Sequence, residues 1–218
     1  MSRNEFYTPD EINQQYANVA PAFIKAFQGD PWFEVSKCPD TTKPQGCSGG
    51  YSPLEIGSTC EKCQHTLQEP AYTTEAVVDK FKTHASNYPT LWYAEHVADS
   101  VALAGYASLQ NTPGLLKYTY RKSPEMRAWL DENMAEDSVA WLHELFADPS
   151  KRASGNLRNF REMCEGFAER FETQTFAYCT INPRMAAVAM RDFDKKATLY
   201  EANVDVPDHR NLVQIDLS

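Results

Sequence analysis

The chain has 218 residues, 30 acidic against 21 basic, a net charge of −9 and six cysteines. Its apolar share of 42% and charged share of 23% are those of a folded domain with a buried core, which excludes an intrinsically disordered chain. No apolar run approaches the ~18 residues of a membrane helix, and the acidic balance without a basic stripe argues against nucleic acid.

Met1 to Asp10 is polar and mixed and lacks a basic flank followed by an apolar stretch, so no secretory signal is expected and a cytoplasmic location is the default. Glu11 to Phe27 reads as an amphipathic helix, with Ile12, Tyr16, Val19, Phe23, Ala26 and Phe27 near one face. Pro21 is expected to divide or kink it, and Gly29-Asp30-Pro31 to stop it.

Four of the six cysteines then fall between Cys38 and Cys63, spaced C-x8-C-x12-C-x2-C. In a reducing compartment such a cluster reads as a metal site, with free thiols or a labile disulfide as alternatives. Zinc favours four soft ligands in a tetrahedron, and Cys38, Cys47, Cys60 and Cys63 supply them, with His65 as a substitute. The segment between has too few apolar residues for a core of its own, so a metal would supply its folding energy. Cys164 and Cys179 lie in apolar surroundings and read as small buried hydrophobes.

Thr73 or Thr74 caps a second helix, with Ala76, Val77, Lys80 and Phe81 at helical spacing. Leu91 to Val97 and Val101 to Leu109 read as a hairpin turned at Ala98-Asp99-Ser100. Asn111 to Glu136 is an excursion with one short helix starting near Pro124. Ser138 to Ala147 is a strand broken by Asp148-Pro149-Ser150, and Gly155 to Phe171 a helix. Gln174 to Ile181 is a strand, Pro183 opens a helix to Phe193, and Lys195 to Val204 and His209 to Leu217 form a last pair of strands. This order predicts an α/β (α+β) fold with a mixed, mostly antiparallel central sheet flanked by helices. The whole chain, 1–218, reads as one domain with 38–63 as a small zinc-knuckle-like insertion.

The chemistry is expected where the strand through Trp141, His143 and Glu144 breaks into Lys151-Arg152-Ala153-Ser154-Gly155-Asn156-Leu157. A basic, glycine-containing loop leading into a helix offers unpaired N–H groups and a positive dipole end to a phosphate or pyrophosphate.

The run Glu144-Leu145-Phe146-Ala147-Asp148-Pro149-Ser150-Lys151-Arg152, continued by Ala153-Ser154-Gly155-Asn156-Leu157, resembles the acyl-coenzyme A motif of the GNAT superfamily of N-acyltransferases. The segments Ala26 to Glu34 and Thr180 to Phe193 resemble the family's first helical region and its later strand and helix, so the likeness spans roughly 10–37 and 68–217. Leu157 stands where the family has Gly or Ala. Ala189 and Met190 occupy the place of its usual tyrosine, so that general-acid role is not carried over.

The resemblance implies transfer of an acetyl or other acyl group from acetyl-CoA to a primary amine. Backbone amides of Leu145, Phe146 and Ala147 would hold the pantetheine and thioester, Lys151 to Leu157 the pyrophosphate, and Asn182 would also bind the cofactor. His143 or Glu144 would be the base, and alternation along the strand points the two to opposite faces. A histidine suits proton abstraction near neutral pH, and Tyr178 or Tyr200 is a candidate acid. The cysteine-rich insert would help wall the acceptor site through Gly49, Gly50 and Tyr51, or would only add stability. The contrasting reading is a non-catalytic coenzyme A-binding or zinc-ribbon interaction module. A homo-oligomer is compatible with either.

Overall fold

The computed structural model describes residues 2–29, 32–38, 51–61, 63–88, 90–98, 100–111, 124–133, 138–154, 159–180, 182–201 and 211–218. Cys47, Gly49, Gly50, Gly155, Asn156 and Leu157 lie outside them, as does the expected turn between the last two strands. In chain order the elements are β1 (Ser2–Tyr7), α1 (Pro9–Asn13), α2 (Tyr16–Gln28), β2 (Ser36–Lys37), β3 (Tyr51–Ser52), β4 (Glu69–Pro70) and α3 (Thr74–Asn87). There follow β5 (Thr90–Val97), β6 (Ser100–Gln110), α4 (Pro124–Asn133), β7 (Val139–Ala147) and a 3-10 helix at Pro149–Ser154. The chain ends with α5 (Phe160–Arg170), β8 (Thr175–Thr180), α6 (Pro183–Phe193), a 3-10 turn at Asp194–Lys196, β9 (Ala197–Tyr200) and β10 (Asn211–Asp216).

A seven-stranded sheet runs in the order β1-β5-β6-β7-β8-β10-β9. Every neighbouring pair is antiparallel except β7 and β8, which are parallel. The sheet is therefore mixed and mostly antiparallel, as expected. Helices α5 and α6 cover one face, burying Phe160, Met163, Phe167 and Phe193 against Tyr93, Leu142, Phe176 and Tyr178. Helices α1 to α3 cover the other, where Ile12, Tyr16, Phe23 and Phe81 pack on Trp92, Tyr106 and Phe146. No helix among the described residues is long and apolar enough to cross a membrane.

Several expectations are corrected. Ser2–Tyr7 is an edge strand paired to β5 along its whole length. Its Phe6 ring lies edge-on to Phe167 at 5.3 Å and fits against Gly166, where any side chain would collide with it, while Tyr7 packs on the core of the opposite face. The first helical region breaks at Gln14–Gln15, while Pro21 stays inside α2. Pro21 and Ala17, whose carbonyl would lose its partner, are both exposed, so water can substitute for the missing bond. Pro149–Ser154 winds into a separate 3-10 turn, the described helix after the loop spans Phe160–Arg170, and its expected start at Gly155 lies outside the described residues. The other expected elements lie within a residue or two of their predicted ends where they are described, except that the strand expected over Lys195 to Val204 ends at Tyr200. Thr73 caps α3 by accepting from the Ala76 amide at 3.2 Å, and Pro183 is the first residue of α6.

Candidate functional site

The parallel pair that interrupts the antiparallel sheet builds the site. Strand β7 pairs with β8 only from Val139↔Thr175 to Leu142↔Tyr178, yet stays paired with β6 as far as Ala147. From His143 to Ala147 the β8-facing edge of β7 thus has no strand partner among the described residues. Beyond Leu142 and Tyr178 the two strands no longer pair, and the backbone of β7 is free of a β8 partner.

The cause of the divergence is local. On β6, Ala107 faces Leu142 while the next residue, Tyr106, faces Glu144, so His143 is an extra residue in β7. Such a bulge bends its strand and increases the local twist. Beside it, Gly105 faces Leu145, and a Cβ on Gly105 would lie 2.8 Å from the Glu144 carbonyl oxygen. The close approach of the two strands at the bulge requires glycine at that position.

The bulge overturns the expectation that His143 and Glu144 point to opposite faces. Leu142 and Leu145 pack toward α5 and α6. His143 and Glu144 both face α3, where the His143 ring lies 4.8 Å from His84 and Glu144 forms an ion pair with Lys80. His143 Nε2 hydrogen-bonds with Ser108 Oγ at 2.6 Å, and Gln110 donates to the same hydroxyl at 2.7 Å. Its ring stacks on Tyr106, 5.5 Å away and 18° from parallel.

Burial, with a smaller contribution from His84, pushes the His143 pKa from its ordinary 6.5 down to about 3. This imidazole is uncharged near neutral pH and takes up a second proton poorly, which removes the reason for preferring histidine as the base. A pH dependence of stability follows. The folded pKa lies below the unfolded one, so the stabilisation is full above about pH 6.5 and is lost as pH falls toward about 3. His84, also held down by burial and then by Lys80, acts in the same direction, while Lys80 and Glu144 are the other charges at this face. Between about pH 4 and 6.5, urea denaturation should show stability falling by up to ~1.4 kcal/mol per pH unit from His143, and His143→Gln should flatten the curve. Superimposable pH curves for the two proteins would refute a buried neutral His143.

A second group closes around Lys80. Its ammonium lies 4.6 Å from the centre of the buried Phe23 ring and 5.9 Å from that of Phe27. Glu34, in range of both Lys80 and Glu144, accepts a hydrogen bond from the Tyr72 hydroxyl. Burial raises the Glu34 pKa and the Glu144 charge adds to this, against the Tyr72 hydrogen bond and Lys80. Phe33 positions Glu34 by adopting φ +50°, a left-handed conformation rare for a bulky side chain. Tyr51 packs on Tyr72 with ring centres 5.1 Å apart, so the cysteine-rich insert reaches this group.

Sequence reasoning missed Glu34, Tyr72 and His84 as site residues and counted Lys80 only as part of a helical pattern. The available signal was a lysine between Val77 and Phe81 on the apolar side of a helix.

No protein-family profile matches the sequence, and no curated protein matches it. Comparison of the fold with solved structures does find relatives. The chain is similar over its full length to the AHL synthase LasI, at 11% identity and a TM-score of 0.54, covering 91% of that chain. It also matches an acetyltransferase of the GNAT family from Staphylococcus aureus Mu50 at 10% identity and a TM-score of 0.50, with both chains fully covered. The fold is that of the GNAT acetyltransferases.

Within this GNAT fold the remaining predicted residues separate. Leu145 and Ala147 turn toward the α5–α6 layer, while Phe146 lies edge-on to Phe23 at 5.2 Å in the other. At the end of β7 the buried Asp148 accepts from the Ser150 amide at 2.9 Å, the Ser150 hydroxyl at 2.6 Å and Lys25 at 3.0 Å. Burial opposes its charge, but these donors outweigh it and hold its pKa below the usual range. This clamp starts the 3-10 turn through Arg152, Ala153 and Ser154. The Lys151 ammonium reaches Ser100 at the start of β6. The Asn182 side chain caps α6, accepting from the Arg184 amide at 3.0 Å.

Tyr178 is not brought to His143 and Glu144. It faces the α5–α6 layer, its hydroxyl donates to the Met185 carbonyl at 2.8 Å, and burial raises its pKa. Tyr200 packs with Trp129, 5.7 Å between ring centres.

The insert brings three of its predicted ligands together. The sulfurs of Cys38, Cys60 and Cys63 all lie within 4.8 Å of one another, with Cys38 and Cys63 at 3.1 Å. Cys60 and Cys63 belong to a knuckle in which the Gln64 amide donates to the Cys60 carbonyl at 2.8 Å and the Cys60 amide to the His65 carbonyl at 2.8 Å. Cys38 directly follows β2, the centre of a three-stranded sheet in the order β3-β2-β4. Three soft thiol donors at this spacing fit a tetrahedral zinc ion. The exposed His65 is not in the cluster, and Cys47 lies outside the described residues.

Proposed function

We propose that the protein is an N-acyltransferase that moves an acetyl or other acyl group from acetyl-CoA to a primary amine. The observation that carries this reading is the parting of β7 from β8 after Leu142 and Tyr178. The free edge of β7 can take the amide-rich pantetheine arm as a strand-like partner, through the backbone of Leu145, Phe146 and Ala147. The loop from Lys151 to Leu157 takes the pyrophosphate, and Asn182, at the start of α6, also binds the cofactor.

Glu144 is the base in this scheme. Its carboxylate stands one residue past the bulge, beside the place where the thioester would lie. It removes a proton from the acceptor ammonium, and the neutral amine attacks the thioester carbonyl. His143, neutral and tied to Ser108, positions the bulge. Glu34, Tyr72 and the rings of Phe23 and Phe27 form the wall that an ammonium group would meet. Cys38, Cys60 and Cys63, with Cys47 as the fourth ligand, hold a structural zinc that keeps the insert folded against that wall.

The alternative, a coenzyme A-binding module without turnover, draws support from the ion pair of Lys80 with Glu144, which occupies the proposed base. Thermal denaturation with and without coenzyme A tests the common premise. At 100 times its Kd a ligand adds ~2.7 kcal/mol of stability, so a clear rise in Tm is expected, and none at millimolar coenzyme A would refute both readings. Release of free thiol from acetyl-CoA with a panel of primary amines then separates enzyme from binder.

A further inference from the structure

The ion pair of Lys80 with Glu144 places a primary amine of the chain itself at the proposed base. We propose that Lys80 is an acyl acceptor, so that the protein acylates its own α3 lysine in cis. This rests on the acyl-transfer reading above.

Four observations support it. The Lys80 ammonium contacts the Glu144 carboxylate, on the stretch of β7 that has no strand partner on its β8 side. The rings of Phe23 and Phe27 hold it there, and its side chain remains about one-third exposed, so an incoming thioester can reach it. The Tyr106 hydroxyl, fully buried and close enough to Glu144 to feel its charge, has no hydrogen-bond partner among the described residues. Nδ1 of His84, one turn along α3 from Lys80, is likewise buried and unpaired among them. An acylated Lys80 would replace the ammonium with a neutral amide, and the amide carbonyl would give a buried donor such as Tyr106 an acceptor.

The chemistry balances without a further reagent. Glu144 takes a proton from the Lys80 ammonium, and the freed Nζ lone pair forms a C–N bond to the thioester carbonyl carbon. The tetrahedral adduct collapses with cleavage of the C–S bond. The sulfur leaves as a thiolate that takes up the second proton lost from Nζ, giving coenzyme A thiol and Nζ-acyl Lys80. Tethering the amine at the reaction centre makes the step effectively unimolecular.

The test is to incubate the full chain with isotopically labelled acetyl-CoA and follow intact mass and peptide maps over time. Lys82, exposed two residues further along α3, reports ordinary chemical acetylation. The label is expected on Lys80 at least ~10-fold faster than on Lys82, at a rate independent of protein concentration. Glu144→Gln is expected to slow it by at least ~100-fold, and Lys80→Arg, which keeps the ion pair, to abolish it at that site. Labelling of Lys80 no faster than Lys82, in protein whose Tm rises with coenzyme A, overturns self-acylation and leaves acyl transfer standing. A rate that scales with protein concentration overturns the cis reaction. Neither label nor Tm shift overturns both. The Lys80 to Lys82 ratio in the unaltered chain decides the matter even if a variant fails to fold.

Discussion

Glu144→Gln is expected to lower acyl transfer to an external amine by ~100- to 10,000-fold while leaving the coenzyme A-induced rise in Tm intact. The amide keeps the size and hydrogen-bonding shape of the carboxylate but cannot take the acceptor's proton. The donor contacts assigned to β7 are backbone contacts, so they survive the change. Folding should tolerate it, because the partly exposed ion pair with Lys80 becomes a hydrogen bond and such pairs contribute little to stability. The loss should fall on kcat rather than on donor binding. His143→Ala gives the contrast: the ring is buried between Tyr106 and His84, so its removal should lower stability, and the residual activity should keep its pH profile. Full kcat/KM in Glu144→Gln across the pH range would show that the base lies elsewhere.

If the cysteine cluster holds the proposed zinc, removing it by a chelator or by Cys60→Ser is expected to melt the three-stranded sheet while the seven-stranded sheet stays folded. Among the described residues the buried core of the insert is Cys38, Cys60 and Leu67, with Leu54 and Cys63 packed against it. So small an apolar cluster cannot offset the entropy of ordering the segment. Zinc binding to small thiolate sites supplies on the order of 10–16 kcal/mol in apparent free energy, and here it would be the principal stabilising contribution. With the sheet melted, Tyr51 leaves Tyr72, and the Tyr72–Glu34 pair loses one side of its packing. The expected readings are new protease cleavage between Tyr51 and Pro70, a higher KM for the amine and little change in coenzyme A binding. Purified protein holding less than about half an equivalent of zinc would count against the site, as would an unchanged cleavage pattern after chelation.

Features that are local in sequence were legible. The β5–β6 hairpin, α3 with its Thr73 cap, strand β7 and the Pro183 start of α6 each depend on side-chain spacing or a terminal residue within a few positions. The C-x2-C pair was legible for the same reason, since one tight turn brings both sulfurs together. Strand β1 was not, because its order comes from pairing with β5 and from one ring seated on Gly166. The 3-10 turn at Pro149–Ser154 was not legible either, because the Asp148 clamp that starts it is completed by Lys25 from α2.

The candidate site divides along the same line. The residues from His143 to Leu157 could be selected from sequence because a strand, a break and a basic loop follow one another without interruption. Their roles could not. Whether His143 and Glu144 share a face depends on the register between β6 and β7, and a single extra residue reverses the alternation. Whether His143 is a base depends on burial and on His84, which arrives from another element. Lys80 meets Glu144 across a sequence separation of 64, and no periodicity records that encounter. By itself the sequence determined most of the elements of the central sheet and its mixed character, and singled out one strand, break and loop as the candidate site, since these follow from short-range patterning. Only the tertiary structure decided that His143 and Glu144 share a face, that the His143 imidazole is held neutral and that Lys80 stands beside Glu144, because protonation and contact are set by neighbours that folding brings from distant parts of the chain.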